Sequence, residues 1–572
     1  MCGIGGMLGQ PDKAVLKDMI KLLNHRGPDG NGIFIDENCG FAHTRLAIVD
    51  LDGSQQPLYG EGSVAIVNGE IYNFRDLIIE NYPYHTAGDS EAILALHSQS
   101  RGGNASEHAQ WIRLLEGMFS FAIWSDNQLI LARDPVGIKP LVRAIAGDSL
   151  IFASEHKALR AHELHIPVID DLALRARIAW EYSLDATTLL EGVHQVRPGS
   201  VEVWELIEGV PTMTSNARFE SQNINPSNEW NRPEELLETF VVSVQDRLMS
   251  DVPLGIVLSG GLDSSLVCAV AREAAQRANQ PVPECWTVAE SEENPDWIAA
   301  ELVASKLDLK HNQKILDSDT FHNKLPDLSW HGEDLDVTVL FFQPLFAEMS
   351  NSVKVGLCGQ GADELHAGYP RYRNLSKHAA LINSRLRDLD CSLSNLDGNQ
   401  WWNKNHMPEN HCSSLQEFLQ FEIDHGQLSN FQLRLVDRHS MSNGLEVRVP
   451  FLGRAHRLAS NRLPMNYKLP DKMNEKLALR KAADLTQLPK EIVNRPKLPA
   501  GRATTPNLID EMLVELLPRA AEVAKNYNSM EKALLKQPEI AIGLGLFEAM
   551  HIIDEGRKKK VGDISQLLDE VI

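Results

Sequence analysis

The run GIVLSGGLDSSLVCAV at 255–270 constrains this chain more than any other stretch. The apolar segment Ile256-Val257-Leu258 breaks at Ser259-Gly260-Gly261, and a helical pattern with Leu262, Leu266 and Val267 begins at once. A strand that turns directly into a helix is the unit from which parallel sheets are built, because a parallel neighbour is reached through a crossover. Gly260 and Gly261 let backbone N–H groups approach a phosphate, Ser259, Ser264 and Ser265 add hydroxyls, and the helix adds its positive end. No GxxxxGK[ST] sequence occurs in the 572 residues, so this loop does not hold phosphates through a Walker lysine.

The same texture continues after Pro233, where segments of period 3.6 alternate with short apolar runs such as CWTVA and VKVGLC. It predicts an α/β domain over 233–572, with amphipathic helix from about residue 505 and a charged tail near Arg557 to Lys560 read as a solvated helix end. Before residue 205 the runs GNGIFID, GFAHTRLAIVDLDG, GSVAIVNGEIYN, FSFAIWSDNQLILARD and DSLIFASE predict antiparallel strands, with helices at 12–24 and 90–97. That is an α+β domain over 2–205. The polar stretch 206–232, interrupted by Pro and Asn, reads as a linker.

Lys plus Arg number 55 against 78 Asp plus Glu, a net charge of −23 that repels nucleic acids and anionic membranes. Both are excluded as partners. Seven cysteines without any CxxC spacing suit free thiols in the cytoplasm, and neither a signal peptide nor a membrane span is visible.

A candidate nucleophile stands at Cys2. Removal of Met1 leaves a thiol and an α-amine on one residue, and an amine of pKa about 8 can take a proton from a thiol of about 8.5. Downstream come HRGPD (25–29), HTRLAIVD (43–50), NGEIYN (68–73) and GDSE (88–91), each bounding a predicted strand. Arg45 can clamp a carboxylate, Asp89 can hold an ammonium, and Asn68 with the Gly69 N–H can face an oxyanion. Together they describe a pocket for a zwitterionic amino acid with a second carbonyl, such as glutamine.

With RDPVGIKPL (133–141) and FASEHKAL (152–159), this set resembles the class II glutamine amidotransferase domain, an amino-terminal-nucleophile hydrolase with an αββα sandwich. The resemblance implies that Cys2 attacks the glutamine amide and that Asn68 and Gly69 form the oxyanion hole. It places Arg45, Leu46, Ile48 and Val49 on the α-carboxylate side, with Glu70 and Asp89 completing the contacts. SGGLDSS resembles the pyrophosphatase loop of adenylating ligases, and VKVGLCGQGADELHAGY (353–369) supplies Asp363 and Glu364. With NPDWIAAELVASKL, VDRHSMSNGLEVRVPFLG, EKLALRKA and LPKEIVNRPKLP, the chain resembles glutamine-hydrolysing asparagine synthetases over about 2–505.

That resemblance implies a Rossmann-like adenylating domain with a helical C-terminal part, and ATP, L-glutamine and L-aspartate as substrates. The ATP contacts are Val257, Ser259, Gly260, Gly261, Asp263, Ser264, Val288, Ala289, Cys358 and Gly359. Mg2+ falls to Asp263 and Asp363, and Lys497 is the catalytic lysine; a homodimer is compatible with the family. Three positions depart from the usual pattern: Gln360 replaces a common Glu, Cys358 a Ser, and Gly453 the Asp of PFLD. Two acceptors therefore stay open, aspartate and another carboxylate such as the peptide amidated in N-acetylglutaminylglutamine amide synthesis.

Overall fold

A computed structural model describes residues 2–389, 415–471, 474–498, 503–553 and 564–572. The first strands are β1 (Cys2–Leu8), β2 (Gly30–Ile35), β3 (Cys39–Arg45), β4 (Leu58–Gly60), β5 (Ser63–Ile71) and β6 (Gly117–Ser125). They are followed by β7 (Gln128–Arg133), β8 (Val142–Ala146), β9 (Ser149–Ala153), β10 (His194–Gln195), β11 (Ser200–Ile207) and β12 (Val210–Arg218). These strands form two antiparallel sheets, ordered β10-β8-β9-β1-β3-β2 and β12-β11-β7-β6-β5-β4.

Successive side chains of a strand point to opposite faces, so one set of each strand lies between the sheets. There Ile4, Leu8, Phe41 and Phe152 meet Val64, Ile66, Ala122 and Trp124. The outer face of the second sheet is covered by helices Glu91–His97 and Ala105–Ile112, and that of the first by Lys13–Leu23. This is the expected αββα sandwich. By the same alternation Cys2 shares the inner face of β1 with Ile4, Arg45 that of β3 with Phe41, and Asn68 and Glu70 that of β5 with Ile66. At one end of the sandwich, polar side chains thus take over from apolar ones.

The stretch 206–232 is not all linker. β11 runs to Ile207 and pairs with the edge strand β12, whose alternate exposed polar residues gave it the look of a loop. The second domain carries β13 (Leu254–Val257), β14 (Glu284–Ala289), β15 (His311–Ile315), β16 (Val355–Leu357) and β17 (Glu446–Arg448), all parallel and ordered β15-β14-β13-β16-β17. The order reverses between β13 and β16, and open parallel sheets bind ligands outside the carboxyl ends at such a point. β15 reads HNQKI and β17 only EVR, too polar and too short to be told from loops by pattern. Beyond Thr505 come helices Pro506–Asn526, Glu531–Leu535 and Pro538–Phe547. Arg557 to Lys560, Cys391 and Cys412 lie outside the described residues. Among the described residues, no helix is long and apolar enough to cross a membrane.

Arg26 joins the two domains from a fully buried position. Its Nε donates to the Cys2 carbonyl at 3.1 Å, and its terminal nitrogens reach Glu155 at 2.7 Å and Asp437 of the second domain at 2.9 Å and 3.2 Å. Lys157 and Arg438 also meet Glu155, and Lys139 meets Asp437. His25, Glu155 and His331 bring three ligand-type atoms together, but these cations already surround the carboxylate and leave no call for a metal. Against the cost of its burial, Asp437 and Glu155 push the Arg26 guanidinium above its ordinary range. Removing one member of such a pair strands the others, so Arg26→Met should lose about 3–5 kcal/mol in urea unfolding. Arg26→Lys, which keeps the charge without the fork, should lose less.

Candidate active site

The first site lies at the polar end of the sandwich. Cys2 pairs with Arg45 in the β1–β3 register, and its backbone N donates to Asn68 Oδ1 at 3.2 Å. That contact turns the Asn68 amide so that Nδ2 is its remaining donor, weakly engaged by Ser120 at 3.5 Å. Burial pushes the Cys2 thiol up, while the amino terminus and the Leu46 N–H pull it down. Gly69 has φ +156°, and a Cβ there would lie 2.0 Å from the Met118 carbonyl, so only glycine lets β5 sit this close to β6.

Arg45, the candidate carboxylate clamp, is anchored by its own chain. Its guanidinium donates to the carbonyls of Asp50 at 2.6 Å and Leu51 at 2.8 Å, and so shapes the segment that follows it. Leu46 and Ile48 turn their side chains into the core, so this segment offers a ligand mainly its backbone, with half-buried Val49 at its edge. Asp89 accepts the Ile71 N–H at 2.7 Å, and burial holds its carboxyl up at about 6. Glu70, beside Asp89, is raised by burial and then by Asp89 and Glu446.

The second site lies at the switch point of the parallel sheet. Val257 ends β13, Val288 and Ala289 are the last two residues of β14, and Cys358 follows β16, three adjacent strands. Gly260 takes φ +68°, and a Cβ there would meet Ala299 and Ala300 at 2.6 Å. Gly359 is packed against Asp263 and Ser264, where a Cβ would lie 2.8 Å from the Ser264 N. Ser264 Oγ receives the Ser259 N–H at 3.1 Å, which closes the turn before the helix Leu262–Ala278.

Asp263 and Asp363, a hundred residues apart in sequence, converge on two lysines. Lys476 Nζ lies 2.6 Å from both carboxylates, and Lys497 Nζ lies 2.7 Å from Asp363 and 3.5 Å from Asp263. Although burial opposes it, this pairing draws Asp363 down to about 2, and the two carboxylates push Lys497 above its ordinary range. Both carboxylates converge on one nitrogen, so Asp263 and Asp363 would fit a Mg2+ ion, whose favoured donors are carboxylates and substrate phosphates. Glu364 is pushed up by burial and by Asp363 to about 7 and accepts from Tyr369 at 2.7 Å. Gln360 donates its amide N–H to Gln432.

The family described as Glutamine amidotransferase domain matches residues 1–210, and that described as Asparagine synthase matches residues 235–539. Asparagine synthetase [glutamine-hydrolyzing] 1 of Bacillus subtilis (strain 168) is 30% identical over 564 residues, 87% of this chain and 86% of the relative. The chain belongs to the glutamine-hydrolysing asparagine synthetase family. Asparagine synthetase B of Escherichia coli (strain K12) is 30% identical over 70% of this chain and 72% of its own, and asparagine synthetase 2 of Arabidopsis thaliana is 32% identical over 70% and 68%.

Within this asparagine synthetase family member, the Gly453 departure has a local cause. A Cβ there would lie 2.1 Å from Ser243 Oγ, which donates to the Pro450 carbonyl. Cys358 is buried, which drives its thiol up to about 12 and keeps it protonated. Sequence reasoning missed Lys476, Gln432, Glu446 and Arg448. Two buried carboxylates facing a single lysine were the one available signal that a second cation had to exist. A carboxyl held at about 6 by burial becomes neutral as the pH falls through that value, and an ammonium then loses its partner. Calorimetric binding of L-glutamine to a Cys2→Ala variant should therefore weaken roughly tenfold per pH unit below Asp89's titration.

Proposed function

We propose that this chain makes L-asparagine from L-aspartate, with ATP cleaved to AMP and pyrophosphate and with glutamine as the nitrogen source. The observation that carries the reading is the pairing of a Cys2–Asn68 site with the Asp263–Asp363–Lys476–Lys497 cluster in one chain. Domains over 2–205 and 233–572, joined by 206–232, are the units we assign to the two half-reactions, with β12 of the junction serving the first sheet.

In the first half, Cys2 Sγ attacks the side-chain carbonyl carbon of glutamine and its proton passes to the α-amine exposed by removal of Met1. Asn68 Oδ1 steadies that nitrogen, which leaves Asn68 Nδ2 and the Gly69 N–H to receive the oxyanion. Arg45 and the Leu46–Val49 backbone hold the α-carboxylate, and Glu70 and Asp89 the ammonium. Ammonia departs, water cleaves the thioester, and glutamate leaves.

In the second half, the glycine loop Ser259–Gly261 and Ser264 hold the ATP phosphates, with Val257, Val288, Ala289, Cys358 and Gly359 around the AMP part. The β-carboxylate of aspartate displaces pyrophosphate from the α-phosphorus. Magnesium, when bound, would be held by Asp263 and Asp363 and would offset phosphate charge. Lys497 follows the negative charge that builds on the leaving pyrophosphate and the reacting carboxylate. Ammonia, delivered within the protein, then displaces AMP. Gln360 cannot accept a proton, but its amide N–H is committed to Gln432, so its Oε1 is left to orient an N–H of the incoming nucleophile or acceptor. Five free cysteines among the described residues agree with a cytoplasmic setting, and a homodimer is the assembly we assign, to be checked by light scattering.

The test follows products with 31P NMR and mass spectrometry. Wild type should form AMP, pyrophosphate, asparagine and glutamate, whereas ADP and phosphate, or AMP only with another carboxylate, would overturn the reading. Cys2→Ala should lose glutamine-dependent synthesis to background but keep ammonium-dependent synthesis within about twofold, since external ammonia bypasses the first site.

A further inference from the structure

β17 touches both sites through one residue. The Arg448 carbonyl accepts the Cys358 N–H at 3.0 Å, which fixes the start of the loop leading to Gln360 and Asp363. The Arg448 side chain is fully buried and runs toward the amidotransferase domain. Its NH1 donates to the carbonyls of Arg247 at 2.8 Å and Met249 at 2.6 Å, its Nε to Glu446 Oε1 at 2.6 Å, and its NH2 lies 3.9 Å from Glu70 Oε2. Tyr72 lies against the same cation, with its ring centroid 5.6 Å from the guanidinium carbon.

We propose that Arg448 is a positioning residue for glutamine: a cation lent by the synthetase domain that stands beside Glu70 in the glutamine pocket and ties that pocket to the ATP loop through Cys358. The proposal rests on the reading of the first site as a glutamine pocket and deepens it. Three buried carboxylates, Glu70, Asp89 and Glu446, interact there, and like charges so placed oppose one another's ionisation. The groups facing Glu70 are Asp89, Glu446 and Arg448, the amino terminus, and beside them Cys2, Tyr72 and, across Tyr72, Arg247. Arg448 and the amino terminus are the ones that pull the Glu70 carboxyl back down.

The link has a thermodynamic consequence. If ordering of the Cys358 loop by ATP favours the placement of Arg448, ATP tightens glutamine binding and glutamine tightens ATP binding by the same factor. Such coupling lets the enzyme hold glutamine best when the second site is loaded.

The test measures glutamine hydrolysis by the full-length enzyme as a function of pH, with and without ATP. Arg448→Met should raise the KM for glutamine about tenfold with a smaller change in kcat, move the KM–pH inflection upward, and abolish its response to ATP. Arg448→Lys should recover part of this. Because Arg448→Met also strips two buried carbonyls of a donor, Glu446→Gln is the second variant. It removes a negative neighbour of Glu70 and leaves those two bonds, so its inflection should move downward. A merely structural role would disturb both variants alike. Shifts in the same direction, or an unchanged profile in a folded Arg448→Met protein, would overturn the proposal. Should Arg448→Met fail to fold, the direction for Glu446→Gln decides alone. Failure of wild type to hydrolyse glutamine would instead strike the reading of the first site.

Discussion

The buried guanidinium of Arg26 is the interaction on which the arrangement depends. It holds the Cys2 carbonyl, a carboxylate of its own domain and a carboxylate of the other, so the Cys2 backbone and the domain seam are fixed by one group. Ion pairs in such a place are costly to desolvate and add little net stability compared with apolar packing. What they add here is registration. An apolar seam tolerates sliding, whereas the planar fork of Arg26 meets Glu155 and both oxygens of Asp437 in one geometry only. The neighbouring contacts follow suit, with Glu333 accepting the His156 and Lys157 N–H groups across the seam and Asp251 receiving the Asp50 N–H.

The two sites use buried charge in opposite ways. At the second, two carboxylates are matched by two lysines, and Asp363 stays ionised far below neutral pH. That cluster is close to neutral before any ligand enters, and an arriving anionic nucleotide meets two lysines already in place. At the first, burial and neighbouring carboxylates hold Glu70 above the ordinary carboxylate range, and burial holds Asp89 at about 6, while Arg448 and the amino terminus oppose the rise of Glu70. A carboxyl raised by burial is drawn back to its ionised form by an arriving cation, so such a site can answer an ammonium.

Much of this was legible in the sequence, for a reason tied to geometry. Cys2, Arg45, Asn68, Glu70 and Asp89 flank strands with clear apolar alternation, so their faces follow from counting by two. SGGLDSS announced a strand, a turn and a helix by the steric freedom of Gly260 and the helix pattern behind it. The fold's edges were harder to read. β12 and β15 are half-exposed and polar, and β17 has three residues, so the alternation that identifies a strand is absent or too short. Lys476 and Arg448 were hidden for another reason. Each acts across more than 200 residues of sequence, on Asp263 and on Glu70, and no local pattern encodes that contact. Arg45 adds something its charge did not announce, since the backbone of Asp50 and Leu51 already holds two of its nitrogens and fixes the guanidinium in place.

The departures from the family pattern gain meaning from their neighbours. An aspartate at Gly453 would collide with Ser243, and Ser243 is committed to the Pro450 carbonyl, so the glycine belongs with a serine on the facing helix Pro233–Asp246 rather than with the substrate. Gln360 likewise comes with a partner of its own kind, Gln432, in the π-helical turn Gln427–Leu433. Two amides can satisfy each other with one donor and one acceptor, which a carboxylate at either position would change into a charge needing a cation. The loop between Cys358 and Asp363 thereby keeps a neutral side chain beside an ionised Asp363 and a raised Glu364, and avoids adding a third negative charge to a cluster balanced by two lysines. The glutamine is thus a consistent element of this active site's charge balance, and it preserves the shape through which a hydrogen bond, rather than a proton transfer, can direct the nucleophile.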